Sequence, residues 1–159
     1  MKAMAHSRKL KWFLPLIILV SCTGNTIYHD NIDFTKGYWN AGDTLHFSVL
    51  VSDTVQPCDI ILHMRNKGSY PFSNLYVVIT TKAPTGASLT DTVEFILANA
   101  RGEWLGKGFG DLWQNSRIYK SGIRFPHTGI YTFSLRQIMR PDLLNGVMDF
   151  GISVVKKNK

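Results

Sequence analysis

Cysteine is scarce in this chain. The 159 residues hold two, Cys22 and Cys58, too few for a disulfide-stapled scaffold. Glutamate is equally scarce, with only Glu94 and Glu103. No apolar run reaches the ~20 residues that a membrane-spanning helix needs; the longest, Trp12–Val20, has nine. No segment of 12 or more residues carries a 3.6-residue apolar period, which removes the helical-bundle classes. The five histidines, His6, His29, His46, His63 and His127, never pair at i, i+2 or i, i+4, so a local metal motif is absent. No Gly-x-Ser-x-Gly elbow supports acyl transfer. Basic residues form no stripe with interleaved aromatics, so nucleic acid is not an expected partner.

The N-terminus is where the sequence speaks most clearly. Lys2, Arg8, Lys9 and Lys11 precede the apolar run Trp12–Val20, which breaks at Ser21-Cys22. A basic head, a short apolar core and a small residue before the break make a secretory leader. Leu19-Val20-Ser21-Cys22 resembles the lipobox of bacterial lipoproteins. That resemblance implies diacylglycerol on the Cys22 thiol, cleavage before it and acylation of the new N-terminus. Cleavage there removes 21 of the 159 residues and leaves 138, an ordinary size for one domain with its own core. Four of the 18 basic residues lie before Cys22 and all 11 acidic residues after it, so the released body keeps 14 bases and a net charge of +3. With lipid on Cys22, Cys58 has no partner, and packing alone must hold the domain. Cys58 follows Pro57 at the start of an apolar strand and reads as a buried, inert thiol with no local base to activate it.

Three regions follow: a lipoprotein signal peptide over 1–21, the lipidated cysteine and a short polar tether over 22–26, and a single domain over 27–159. The tether keeps the domain close to the membrane. The first acid after Cys22 is Asp30. Surface-exposed lipoproteins of the bacterial group considered below often carry an acidic export signal directly after the cysteine, so its absence favours the periplasmic face.

The domain reads as strands. Residues 43–51 alternate Leu45, Phe47, Val49 and Val51 with more polar positions. Residues 60–65, 75–81, 92–97 and 131–136 continue the series, and 147–155 is rich in β-branched residues. Turn chemistry separates these runs at 66–71, 83–86 and 124–129. Only Gln137–Leu144 is expected to hold a helical turn, limited by Pro141. Seven or eight strands at this spacing predict an all-β fold: a single antiparallel β-sandwich, jelly-roll-like.

Within that frame the candidate sites are thin. Gly106, Gly108 and Gly110 punctuate Trp104–Trp113, but Lys107 lacks a following Ser or Thr and no helix follows, so the stretch does not read as a phosphate loop. The glycines are expected to let Trp104, Phe109 and Trp113 pack closely, or to mark a bulge. Arg65, Asn66 and Asn74 bracket Tyr70-Pro71-Phe72, and Arg140 and Asp142 bracket Pro141. These polar groups either tie irregular backbone to strand ends or form a recognition surface with Arg and Tyr as anchors.

An ordered set of short segments gives the chain a family likeness. It comprises Tyr38-Trp39, Arg65-Asn66, Tyr70-Pro71-Phe72-Ser73-Asn74-Leu75, Asp91-Thr92-Val93-Glu94 and Gly102-Glu103-Trp104-Leu105-Gly106-Lys107-Gly108. It continues through Gly129-Ile130-Tyr131-Thr132-Phe133, Gln137-Ile138-Met139-Arg140 and Leu144-Asn145-Gly146-Val147. Together with the lipobox, these segments resemble the gliding motility lipoprotein GldH family of Bacteroidota over most of the released chain. The resemblance implies an outer-membrane lipoprotein needed for surface gliding in motile members, and it brings no catalytic residues. The family also occurs in species that do not glide.

The resulting expectation is a non-enzymatic, cofactor-free, lipid-anchored sandwich, an interaction component of a motility or secretion assembly, with other envelope proteins as partners. Arg65, Asn66, Tyr70, Asn74, Trp104, Trp113 and Arg140 are the expected partner-binding residues. A carbohydrate- or peptidoglycan-binding module is the alternative, and it calls for Tyr70, Trp104 and Trp113 coplanar at the surface. An enzyme would require two or more of Glu94, Glu103, Asp111 and His127 in one pocket.

Overall fold

The computed structural model describes residues 24–157, so Cys22 and the leader lie outside the described residues. Eleven strands run in order: β1 (Thr26–Asp33), β2 (Tyr38–Asn40), β3 (Leu45–Val51), β4 (Cys58–Lys67), β5 (Asn74–Lys82), β6 (Ser88–Ile96), β7 (Lys107–Phe109), β8 (Leu112–Ile123), β9 (Gly129–Gln137), β10 (Leu143–Asn145) and β11 (Val147–Lys156). One sheet has the order β1-β11-β4-β8-β7, the second β3-β9-β5-β6, and β10 pairs with β2 apart from both. Every pairing is antiparallel.

Setting aside the three-residue strands β2, β7 and β10 leaves eight long strands, nested as first with last, second with seventh, third with sixth and fourth with fifth. That nesting is a long hairpin wrapped on itself, the jelly roll. The expected all-β antiparallel sandwich is therefore observed.

Alternation builds the core. β3 turns Leu45, Phe47, Val49 and Val51 inward, and β4 does the same with Cys58, Ile60, Leu62 and Met64. Leu75, Val77 and Ile79 of β5, Tyr131, Phe133 and Leu135 of β9, and Phe150, Ile152 and Val154 of β11 complete the layer between the sheets. Trp39 is fully buried at one end, stacked on Phe34 and tilted against Phe150 at centroid distances of 5.3 Å. Cys58 is buried at the start of β4 as expected, and burial, helped by Asp53 and Asp59, pushes its thiol pKa up.

Two long strands escaped the sequence reading. β1 buries no side chain fully and β8 buries only Asn115. Neither strand therefore shows the apolar alternation that marks a half-buried strand in a sequence. The expected helical turn at 137–144 is not there. Residues 138–142 form bends, and β10 follows at Leu143. The buried Gln137 side chain organises them: its oxygen accepts from Met139 N at 2.7 Å and its amide donates to Pro141 O at 3.2 Å. A side chain that supplies these backbone partners removes the need for a helical ladder.

Candidate functional site

One end of the sandwich gathers five of the seven expected site residues. The β4–β5 loop crosses there beside the long connection between β6 and β7. Asn66, on the inward face of β4, is fully buried; its amide donates to Lys67 O and its oxygen accepts from Asn115 of β8, both at 3.0 Å. Tyr70 is buried, its hydroxyl donating to Asn74 O at 2.9 Å, and burial pushes its pKa well up. Asn74 in turn donates to Glu94 Oε1 at 2.7 Å, a bond that holds the Glu94 carboxyl below its ordinary range, with Tyr76 assisting. Asn66 and Tyr70 are thus internal braces that cannot touch a partner. Of the two roles open to these polar groups, Asn66 and Tyr70 take the first: they satisfy backbone carbonyls where the strands end, while Asn74 ties its side chain to Glu94.

Over this braced floor lies a chain of rings. Phe72 meets Tyr70 edge-on at 5.9 Å, Tyr70 meets Trp104 at 6.4 Å, and Trp104 meets Trp113 at 6.4 Å. Trp104 is held by a tight turn in which Asn99 Oδ1 accepts from the backbone N–H groups of Arg101 and Glu103, at 2.9 and 3.0 Å. Gly108 of β7 lies directly beneath Trp113; a Cβ there would sit 2.8 Å from the indole ring. The expected close packing at the glycines is therefore found for Trp104 and Trp113. It is not found for Phe109, which is 89% exposed, because β7 ends there and the turn at Gly110 carries the ring outward.

The three rings do not make a flat platform. Tyr70 is buried, the two tryptophans are half-buried, and the planes are tilted by 55° and 32° along the series. Nor do the four residues named for an enzyme share partners. Glu94 engages Asn74, Glu103 Oε2 accepts from Asn99, Asp111 accepts from Gly68 N, and His127 N donates to the Tyr131 hydroxyl.

Arg65 and Arg140 do not join this cluster. Arg140 is exposed in the bend between β9 and β10. Arg65 projects from the outer face of the five-stranded sheet, where it bonds Asp149 of β11 and approaches Asp33 of β1 at 3.5 Å. Burial pushes the Asp149 carboxyl pKa up, against the pull of Arg65.

Around Arg65 the fold assembles a polar hollow of about 150 Å³ that the sequence did not reveal. His63 lies between two hydroxyls, Nδ1 to Ser116 at 2.9 Å and Nε2 to Ser153 at 2.6 Å, and meets the His29 ring edge-on at 5.3 Å. Burial, and then His29, lower its pKa, so it stands neutral at pH 7. Asn31 and Gln114 complete the rim. These residues come from β1, β4, β8 and β11, and only the sheet register brings them together. No group of three or more metal-ligating side chains forms among the described residues, and no helix among them is long and apolar enough to cross a membrane.

Residues 26–154 match the family described as GldH lipoprotein. The chain belongs to that family. The gliding motility lipoprotein GldH homolog of Christiangramia forsetii is 29% identical over 154 residues, covering 92% of this chain and 94% of the relative. The gliding motility lipoprotein GldH of Flavobacterium johnsoniae is 26% identical over 152 residues, covering 91% and 94%. Among solved structures, that of infectious bursal disease virus Gt strain aligns at a TM-score of 0.20 with 12% identity, over 81% of this chain and 39% of the viral one, a likeness that carries no argument. The GldH match opens on the first residue of β1 and closes two residues before the end of β11, so it coincides with the jelly roll.

Proposed function

We propose that this protein is an outer-membrane lipoprotein that serves a gliding motility assembly, or its associated secretion machinery, as a non-enzymatic interaction component. The observation that carries the reading is the GldH family match across the whole jelly roll, together with two relatives whose names record gliding motility lipoproteins. Acyl chains on Cys22 supply location, since more than one chain is needed for attachment that does not readily reverse. β1 begins four residues after Cys22, which keeps the sandwich against the membrane. The absence of acids directly after Cys22 favours the periplasmic side. The exposed parts of Trp104 and Trp113, and separately Arg140 in the bend between β9 and β10, are the partner-facing residues of this reading, and Asn66, Tyr70 and Asn74 hold the loops beneath the tryptophans.

Two experiments test it. Cys22→Ala should abolish labelling by a lipid precursor and move the protein to the soluble fraction; retained membrane attachment overturns the anchor. Affinity capture of the tagged protein from membranes should recover envelope proteins above background, and recovery of none counts against the assembly role.

A carbohydrate or peptidoglycan ligand is the second reading, favoured by the hollow at His29, Asn31, His63, Arg65 and Gln114. Planar polar groups around an imidazole suit a sugar's hydroxyls and ring face. Calorimetry with soluble peptidoglycan fragments tests it: heat that disappears in His63→Ala supports the module, and an unchanged or absent signal overturns it.

A further inference from the structure

The two main sheets close along one flank and stay open along the other. On one flank the edge strands β1 and β3 approach each other. On the other, β6 ends the four-stranded sheet, while β8 ends the five-stranded one over most of its length, because β7 covers only Leu112–Gln114. Between these edges runs a cleft of about 490 Å³ at Phe95, Leu105, Lys107 and Arg117. It continues into a second hollow of about 340 Å³ between Asp91–Glu94 and Arg117–Lys120. Side chains bridge the flank at Asp91, which accepts from the Tyr119 hydroxyl at 2.5 Å and pairs with Lys120 at 2.8 Å.

The two edges differ in kind. β8 is bulged: Ile60 and Ile61 of β4 face Lys120 and Ile118, so Tyr119 is an extra residue and the edge twists away there. β6 keeps an unbroken register with β5 over all nine residues, from Ser88 to Ile96. It contains no proline, lysine or arginine, and its two charged side chains, Asp91 and Glu94, are tied to Lys120 and Asn74. Five of the twelve exposed large apolar side chains among the described residues, Leu89, Ile96, Leu105, Phe109 and Ile118, belong to these edges and the connection between them. A regular strand edge without a bulge, beside a cleft, is a template for strand addition, in which main-chain bonds give affinity and side-chain pockets give specificity.

Charge indicates what fits. Lys120 neutralises Asp91, and Asn74 engages Glu94. Lys107 and Arg117, at the rim, make no ion pair among the described residues. The Asn74 amide carries no charge to cancel Glu94, which shares the smaller hollow with Arg117; the lining of the larger cleft itself holds Lys107 and Arg117 and no acid, so that part presents cations to an occupant. A second copy fits poorly, because β6 against its own copy contributes two acids and no base on each side.

We propose that this open flank accepts an extended strand of a partner protein, paired to the free edge of β6. Its apolar side chains pack toward Phe95 and Leu105, and its acidic side chains face Lys107 and Arg117. This rests on the interaction reading above and names its mode and the chemistry of the partner.

The test places a photo-crosslinking residue at Thr92, at Ile118, or at Leu50 on β3, in the full-length lipid-anchored protein in its native cells. Adducts from Thr92 and Ile118 should map to one stretch of one partner, about ten residues long and alternating apolar with acidic side chains. Adding Lys107→Glu and Arg117→Glu should cut their yield about tenfold, with the thermal melt unchanged. Adducts joining two copies, adducts to unrelated stretches, or a yield indifferent to charge reversal overturn the proposal. Adducts from Leu50 alone overturn strand addition and leave the assembly reading standing. Adducts from none of the three overturn strand addition too, and membrane capture then decides the assembly reading separately.

Discussion

Replacing Arg65 with methionine removes the ionic partner of Asp149 and keeps most of the aliphatic stem over the sheet. The Asp149 side chain is 2% exposed and the Arg65 side chain 46%. Breaking a fully buried ion pair by deleting one member costs about 3–5 kcal/mol, because the remaining charge stays desolvated. Arg65 is half in water, so its attraction is screened and the cost falls to about 2 kcal/mol. For a domain of this size that lowers Tm by about 6–10 °C. The pH dependence follows from the direction of the Asp149 shift. Burial already raises its folded-state pKa above 3.8, so the folded state holds this proton more tightly than the unfolded state. Losing Arg65 raises that pKa further. The penalty is therefore full above the variant's folded-state pKa, shrinks as pH falls through it, and vanishes below the wild-type folded-state pKa, where Asp149 is protonated in both folded proteins. Urea melts of wild type and Arg65→Met at pH 7.5 and pH 4 read the difference directly. Adding Asp149→Asn to Arg65→Met should recover more than half of the loss at pH 7.5, since the orphaned charge is gone. An equal loss at both pH values, or a double variant as unstable as the sum of the singles, refutes the reasoning.

Three further perturbations follow from the same structure. Tyr70→Phe deletes the bond to Asn74 O and leaves that carbonyl unpaired under the ring chain, so urea unfolding should show a loss of about 1–2 kcal/mol. Gly108→Val places a side chain where Trp113 lies; the indole must leave, and the tryptophan emission of the folded protein should shift to the red. Phe150→Ala empties a site between Trp39 and Phe95 in the middle of the core and should cost about 3–5 kcal/mol by urea unfolding, with loss of near-ultraviolet dichroism. A cost under about 1 kcal/mol would mean that the core collapses onto the cavity.

How legible each element was depends on where it sits. β3 and β9 announce themselves because each has one face in the core and one in water, which writes a period of two into the chain. β11 lies between β1 and β4 and buries residues on both faces, so it reads as a largely apolar stretch rich in β-branched residues rather than as an alternation. β1 and β8 bury almost no side chain fully, and nothing in their sequence demands a strand until their partners are in place. The bend at 137–142 is organised by one glutamine side chain, which propensity cannot foresee. At the site, sequence order put Asn66, Tyr70, Asn74, Trp104 and Trp113 on one list, but it could not say that the first two face inward. That depends on which face of β4 meets the opposite sheet and on how the Gly68–Ser73 loop turns back.

The sequence by itself determined the all-β class and the GldH family likeness, and it carries the expectation of a leader ending at Cys22, because each of these is written in local order or in a period of two. The tertiary structure alone decided the rest. It buried Asn66 and Tyr70, moved Arg65 onto Asp149, closed His63 between two serines and left one flank of the sandwich open. Those outcomes depend on register between strands as far as 90 residues apart, such as His63 and Ser153. No local pattern encodes such pairings; they are settled only when two apolar faces pack and every strand beyond them must follow.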